Sequence, residues 1–324
     1  MKIVQIGFRD TAGSGYCLAH AINKLTRHKA VNIRFIDTYL RYPTMIEAGD
    51  YTRQAIRKML YKADVVHFHI HVKPFFSSLQ LNPAKFKDKK TLVYYHGTML
   101  RTYKDELVKQ AYEYLPDHTP TVSTPALLKY VGKNAVWLPV CRSFEEISAR
   151  YGASVRDLKA VESFKAKRMV TFGHPTTSVE KKGSKTFFAA LTNIVRGNPN
   201  IKAVTIFNTA WDACLRRMSR FDVVLDEAVL GTYGLTTVEA AIFKLPVVSL
   251  LTRETAKLYK ELAGEAPPLV TWRDQGDLEE KLYVLAERPD VRAELGQQVH
   301  DYMLKIHDEP AIVQRYLNII NLKK

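Results

Sequence analysis

A short apolar strand followed by a helical pattern recurs along this chain, stops for one interval, and then starts again. Ile3–Phe8, Val31–Ile36, Val65–Ile70, Thr91–Tyr95, Pro120–Ser123 and Ala135–Pro139 read as strands, with helices over Tyr16–Leu25, Tyr51–Tyr61 and Pro125–Tyr130. Alternation of this kind predicts a parallel sheet covered by helices on both faces. From Cys141 to Lys167 the chain turns polar, charged and helical without a strand, which marks an inter-domain connection. The second series has strands at Arg168–Phe172, Ala203–Phe207, Val223–Leu225 and Val247–Leu250, and helices at Lys185–Val195 and Thr236–Phe243. Its last quarter is helical, over Leu278–Ala286, Val291–Ile306 and Ala311–Ile320. The expected class is therefore α/β, with two successive open units meeting at a cleft lined by the carboxyl ends of both sheets. No internal repeat or low-complexity segment interrupts this plan.

A length of 324 residues accommodates two domains with separate cores, and 46% hydrophobic with 25% charged residues is ordinary for a globular protein. Met1–Gly7 reads as a first strand rather than a signal peptide, because Arg9 and Asp10 interrupt it at once. No apolar run approaches the ~20 residues of a membrane span. Three scattered cysteines, Cys17, Cys141 and Cys214, lack metal spacing and point to a reducing, cytoplasmic setting. The net charge of +15 is uneven. Residues 1–159 carry 25 Lys/Arg against 13 Asp/Glu, a net +12, whereas the remainder carries 23 against 20, a net +3. The first half is thus expected to face a polyanion or an anionic membrane surface, with a merely soluble basic surface as the alternative.

Five segments carry chemistry. Gly13-Ser14-Gly15, between the first strand and first helix, lets a ligand approach the backbone, or simply makes a tight turn. Without a third glycine and a downstream acid it is a poor dinucleotide fingerprint. His67, His69 and His71 alternate and so share one strand face, yet neighbours on one extended strand seldom wrap a metal ion. No metal site is expected; His69 or His71 should instead line the cleft. His96, with Thr98 and Arg101 after it, lies at the carboxyl end of a buried strand, placed to hydrogen-bond a polar ligand. Lys181 and Lys182 precede a helix start after Gly173-His174-Pro175, and read either as a diphosphate clamp or as a solvated face. Finally, Leu230-Gly231-Thr232-Tyr233-Gly234-Leu235-Thr236 leads into a short helix bearing Glu239 and then the strand around Pro246-Val247-Val248. That junction aims backbone N–H groups at an anion, and Glu239, about one turn in, reaches a sugar hydroxyl or ribose beside it.

Taken in order, Ala63–His67, Tyr95-His96-Gly97-Thr98 with Arg101, Val122-Ser123-Thr124-Pro125, Trp137-Leu138-Pro139, Lys182-Gly183 and Tyr233-Gly234-Leu235 through Glu239-Ala240 to Pro246-Val247-Val248 resemble the GT-B glycosyltransferases of the family-four, glycogen synthase-like, retaining type. The resemblance spans nearly the whole chain. It implies two Rossmann-like domains facing across a cleft: an acceptor domain over 1–150 and a nucleotide-sugar donor domain over 151–324. The last helix, about 309–322, would cross back onto the first domain. It further implies a nucleotide diphosphate sugar as donor and no obligatory metal or cofactor. On matching positions, Glu239 would bind the donor ribose, and Tyr233, Gly234, Leu235, Thr236, Lys181 and Lys182 would surround the diphosphate. His96 would contact the transferred sugar, Gly13 and Gly15 would approach the donor from the other side, and His69, His71, Thr98 and Arg101 would lie on the acceptor side. His96 and Glu239 are the expected catalytic pair.

Two departures stand out. The family's first glutamate, eight positions before Glu239, is Gly231 here, with Asp226 or Glu227 as candidate substitutes. The usual arginine after the first glycine of the second domain is His174, so one diphosphate cation would come from a protonated imidazole or from Lys181. The basic first half implies an anionic acceptor. One version is a lipid or lipid-linked glycan met peripherally at the inner membrane surface through the segment Lys73-Pro74-Phe75-Phe76 to Lys85-Phe86-Lys87-Asp88-Lys89-Lys90, read as an interfacial patch. The other is duplex DNA carrying a hydroxymethylated base. Rival readings are a non-catalytic nucleotide-sugar-binding protein and a GT-B-fold epimerase.

Overall fold

The computed structural model describes residues 1–152 and 169–321. The chain divides into two compact units, one formed by Met1–Arg142 with His307–Lys324 and the other by Ser143–Ile306. Most of the Cys141–Lys167 interval lies outside the described residues.

The first unit is a seven-stranded parallel sheet with spatial order β3-β2-β1-β4-β5-β6-β7, formed by β1 (Lys2–Gly7), β2 (Lys29–Arg34), β3 (Ile46–Glu47), β4 (Val65–His69), β5 (Lys90–Tyr95), β6 (Thr119–Val122) and β7 (Val136–Trp137). Helices α1 (Ser14–Leu25), α2 (Arg53–Lys62), α3 (Lys73–Ser78), α4 (Gly97–Tyr114) and α5 (Leu128–Val131) connect them. Thr52 begins α2 by accepting the Ala55 N–H on its side chain, a conventional N-cap. The period of two along each strand sorts the two faces. Ile3, Val65, Leu92 and Tyr94 pack with Leu18 and Ile22 of α1 and with Ile312, Tyr316 and Ile319. The last three belong to the terminal helix Glu309–Asn321, which lies in the first unit as the resemblance implies. Phe68 points to the opposite face and meets the rings of Phe75, Phe76 and Phe86.

That aromatic cluster corrects the interfacial-patch expectation. Phe75, Phe76 and Phe86 are all buried, so the segment has no aromatic side chains to insert into a membrane. Apart from Lys73, its lysines lie at the rim of the sheet away from the carboxyl ends of the strands. Lys85–Lys90 immediately precede β5, at the amino-terminal rim of a parallel sheet, together with Lys2, Lys29 and Lys62 before or at the starts of β1, β2 and β4. Strands of five or six residues put that rim about 17–20 Å from the carboxyl ends. The carboxyl rim keeps a smaller basic set, Arg9, Arg41, Lys73 and Arg101, with Lys104 two turns into its helix, in the loops and helices that follow β1, β2, β4 and β5.

The second unit begins with α6 (Phe144–Tyr151), and its sheet is parallel in the order β11-β10-β8-β9, from β8 (Val170–Thr176), β9 (Ile201–Phe207), β10 (Val223–Leu225) and β11 (Val247–Val248). The helices are α7 (Ser184–Gly197), α8 (Trp211–Met218), α9 (Leu235–Ile242), α10 (Arg253–Ala263), α11 (Gln275–Glu287) and α12 (Pro289–His307), before the terminal α13 (Glu309–Asn321). Phe172, Val223, Leu225 and Val248 of the strands pack with Phe187, Leu191 and Ile194 of α7 and Leu278 and Leu282 of α11. No helix among the described residues is long and apolar enough to cross a membrane, and none of the three cysteines forms a disulfide.

Candidate functional site

In the first unit the polar groups collect at the carboxyl ends of β1, β4 and β5, which are adjacent strands. The loop after β1 turns through two left-handed residues, Ala12 (φ 61°) and Gly13 (φ 60°). A Cβ at Gly13 would fall 2.7 Å from the Tyr42 ring, so glycine is required here by the protein's own packing. Asp10 holds the loop closed: its carboxylate accepts the N–H groups of Gly15 (2.7 Å) and Tyr16 (2.9 Å) and the Asn32 side-chain amide (3.3 Å). The start of α1 thus carries an internal anion on its N–H groups. Arg142, fully buried, donates to the Ala12 carbonyl at 2.6 Å and faces the Tyr42 ring.

Burial raises the Asp10 carboxyl to about pKa 6, against the opposing pull of Gly15, Tyr16, Arg142 and Arg34. A carboxyl raised in the folded state contributes stability that is full below its unfolded pKa of ~4 and is lost as the pH rises through the folded value. The melting temperature of the wild type relative to Asp10→Asn, which does not titrate, is therefore expected to fall from about pH 4 to 6.5 and then level off. A difference independent of pH, or one that grows with pH, would rule the assignment out.

His69 and His96 come together as neighbours on β4 and just after β5, both buried, with His69 Nδ1 3.4 Å from His96 Nε2. His69 Nε2 meets Gln5 Oε1 of β1 at 3.0 Å. Burial pushes His96 down to about pKa 4 and, with His67 and His96 adding to it, holds His69 well below the usual imidazole range. All of these rings are neutral near pH 7. His67, on the same face, is fully buried and bonded to Thr121 Oγ1 at 3.2 Å. The expectation that His71 shares this face fails, because Ile70 (φ 70°) turns the chain out of the strand after His69. His71 instead sits edge-on to Phe8 and lines a groove of about 510 Å³ with Lys73, Met99, Tyr103 and Glu106. Thr98 is exposed in the first turn of α4, and the Arg101 guanidinium folds over Gly97.

In the second unit the corresponding hub is Asp226, just after β10 and fully buried. Its Oδ2 accepts the Gly234 N–H (2.7 Å) and the Thr237 hydroxyl (2.6 Å), while Oδ1 pairs with the Lys182 ammonium. Burial pushes this carboxyl up, but Lys182, Thr237 and Gly234 outweigh it and hold the net value below the usual range. For Lys182, burial opposes the charge, yet Asp226 and Glu227 keep the ammonium above its ordinary value. Lys182 is therefore held by acids of its own chain, and its other contact, Glu227 Oε2, is at 3.8 Å. Glu227 Oε1 accepts the Val229 and Leu230 N–H groups. Both acids weighed as substitutes for the missing glutamate are buried and committed to these internal bonds.

His174 also departs from expectation. It is buried, its Nδ1 donates to the Leu225 carbonyl (2.8 Å), and its Nε2 accepts from the Ser184 hydroxyl (2.7 Å). Burial lowers its pKa, so it is a neutral brace between β8, β10 and α7 rather than a diphosphate cation. Lys181 is exposed. Tyr233 is buried and stacked on Tyr259 at 4.9 Å, which makes it a packing residue. Gly234, Leu235 and Thr236 are partly exposed at the start of α9, where the first-turn N–H groups have no partner within the helix. Glu239 is buried one turn further, its Oε1 accepting the Trp211 indole N–H at 2.7 Å. Sequence reasoning missed Gln5, Asp10, Arg142 and Trp211. Only Asp10, directly before the glycine pair, carried a local signal, as an acid at a helix N-cap boundary.

No protein-family model matches the chain, and no curated protein sequence does. Solved structures do match it. An alpha-glucosyltransferase in complex with UDP and a 13-mer DNA containing a central A:G mismatch aligns over 99% of this chain and 100% of its own, with a TM-score of 0.70 and 10% identity. HepE of Anabaena, in complex with UDP and glucose, aligns over 98% of each chain with a TM-score of 0.68 and 12% identity. A glycosyltransferase from Rickettsia africae aligns over 98% of this chain and 97% of its own, with a TM-score of 0.64 and 12% identity. What the chain shares with them at such identities is the fold, that of the GT-B glycosyltransferases.

Proposed function

We propose that this protein is a glycosyltransferase that moves a sugar from a nucleotide diphosphate sugar to a hydroxyl acceptor with retention of anomeric configuration and without an obligatory metal. The observation that carries the reading is Glu239: a buried carboxylate at the carboxyl end of a parallel sheet, oriented by the Trp211 indole and one turn past partly exposed N–H groups. In this reading Glu239 binds the donor ribose, while Leu235 and Thr236 N–H groups and Lys182 receive the diphosphate. An ammonium has three donors. The Asp226 contact takes one and aims the side chain, leaving the others for phosphate oxygens. The bond from the anomeric carbon to the diphosphate oxygen breaks, and one to the acceptor oxygen forms. The acceptor proton passes to a donor phosphate oxygen, and the growing diphosphate charge is met by the ammonium and the helix start. His96, neutral, contacts the transferred sugar.

The acceptor is read as anionic, from the basic set Arg9, Arg41, Lys73, Arg101 and Lys104 at the carboxyl rim of the first unit. Burial of Phe75, Phe76 and Phe86 weakens the membrane version, and a DNA-bound structure with the same fold makes duplex DNA with a hydroxylated base the first acceptor to try. Gel shifts over a salt series should then weaken steeply with rising salt.

The test of the function is a thermal-shift screen of UDP-, GDP- and ADP-sugars, followed by measurement of nucleoside diphosphate release. One donor class is expected to stabilise the wild type and to be consumed, with Glu239→Gln losing about 100-fold in kcat/KM, the loss of about 2–3 kcal/mol of ligand contact. Binding without turnover would favour the nucleotide-sugar-binding alternative. No shift with any nucleotide sugar would overturn the proposal.

A further inference from the structure

Gln5, His69 and His96 form a connected line of side chains across three adjacent strands, enclosed from solvent at 1%, 3% and 6% exposure. The line continues to the terminal helix, where Gln5 Nε2 donates to the Tyr316 hydroxyl at 3.2 Å. Chemistry at one end dictates the state of the other. An amide oxygen only accepts, so His69 Nε2, 3.0 Å from Gln5 Oε1, must carry hydrogen. A neutral His69 then has a bare lone pair on Nδ1. The nitrogen facing it, His96 Nε2, must donate. Neutral His96 is thereby left with its lone pair on Nδ1, an atom without a hydrogen bond from any of the described residues and not among the enclosed, unpartnered polar atoms.

We infer that Gln5 and His69 are positioning residues that lock His96 in the Nε2–H tautomer, so that its Nδ1 accepts a hydrogen bond from a hydroxyl of the bound sugar. The assignment rests on the proposed function for the identity of that hydroxyl, but not for the tautomer. It also excludes one role: with Nδ1 bare and the ring neutral, His96 is no proton donor toward the ligand. The geometry supplies a reason for each member. Gly15 packs beside the line: a Cβ placed there would lie 3.5 Å from both His69 Nε2 and Gln5 Cβ, in van der Waals contact, and 3.3 Å from Asp10 Oδ1. The rings of His69 and His96 lie nearly parallel, 24° apart with centroids 5.6 Å apart, which keeps the Nε2–H of His96 directed at its neighbour.

The test uses the full chain labelled with ¹⁵N-histidine. Two-bond ¹H–¹⁵N correlation spectra at pH 7 are expected to show His96 with a protonated Nε2 and a bare Nδ1, and His69 likewise. In Gln5→Met, which removes the acceptor while keeping length, both rings are expected to show mixed tautomers, and sugar transfer to fall by about tenfold to 100-fold in kcat with a smaller change in KM. A wild-type His96 protonated on Nδ1 would overturn the inference whether or not Gln5→Met folds. So would an unchanged tautomer in a folded Gln5→Met protein, or a tautomer change with kcat unaltered. If the wild type turned over no nucleotide sugar, the proposed function would fall, while the spectra would still decide the tautomer.

Discussion

Asp226→Ala is expected to destabilise the protein by about 3–5 kcal/mol, the usual consequence of removing one partner from a buried ion pair. The loss has three sources. Lys182, only 18% exposed in its side chain, keeps its charge without its main partner. The Gly234 N–H and the Thr237 hydroxyl lose their acceptor in the same step. Lys182→Ala strands the buried carboxylate instead, and should cost a comparable amount. The double variant removes both charges, so it should be less destabilised than the sum of the singles, a positive coupling of 1–3 kcal/mol by order of magnitude. Urea denaturation of the four proteins measures it. Additive losses would mean that the pair is not an interacting unit. The pH dependence has a definite sign. The Asp226 carboxyl is held below its ordinary value, so its contribution is present at neutral pH and is lost as the pH falls through the folded value, below about 4. Under the proposed function, donor binding should weaken in both single variants. In Lys182→Ala the cation is gone; in Asp226→Ala the ammonium remains but nothing aims it, and the start of α9 loses its anchor.

Strand spacing and the parallel class follow from period-two and period-3.6 patterns that each segment carries by itself, whereas the return of the last helix was implied by the family resemblance alone. Lys182 and Glu239 were visible because a helix start and its first turn are local. The missed contacts are those that depend on strand order. Gln5 meets His69 only because β1 lies beside β4, and Trp211 meets Glu239 only because α8 begins near α9. No spacing within either segment encodes that. The helix Gly97–Tyr114 escaped notice because its buried positions, Leu100, Leu107 and Ala111, are too sparse among charged residues to make an apolar stripe. Phe75, Phe76 and Phe86 misled for the opposite reason. Interleaved lysines looked like an amphipathic surface, while the rings were core residues beside Phe68. The net +12 sums basic side chains wherever they lie, and a sum cannot distinguish those at the amino-terminal rim of the first sheet from those at its carboxyl rim.

Placing at position 231 the glutamate of the family this sequence resembles, by Gly231→Glu, is expected to damage the protein rather than improve it. Gly231 has φ 68°, in the left-handed region where a side chain is strained, and a Cβ there would lie 2.4 Å from Thr252 Cγ2. Thr252 cannot easily give way: its N–H bonds to the Gly231 carbonyl at 3.1 Å, and its hydroxyl accepts from Thr255 N–H at the start of α10. Backbone strain of about 1–3 kcal/mol and an overpacking cost of similar size add to a loss of about 2–6 kcal/mol. Thermal melting should register this as a lower Tm, and Gly231→Ala should already show most of it, since the clash begins at Cβ. A Glu variant as stable as the wild type would mean that the loop relaxes freely. The consequence for function is specific. In this chain the position before Thr232 carries no side chain to present a carboxylate to a donor sugar, Asp226 is held by Lys182, Gly234 and Thr237, and Glu227 Oε1 accepts the Val229 and Leu230 N–H groups. Within the proposed activity, discrimination among donor sugars then falls to neutral hydrogen-bonding groups. Neutral contacts are weaker discriminators than charged ones. The wild type is accordingly expected to accept epimeric sugars on one nucleotide with kcat/KM values within about tenfold, checked by comparing epimeric donor pairs directly.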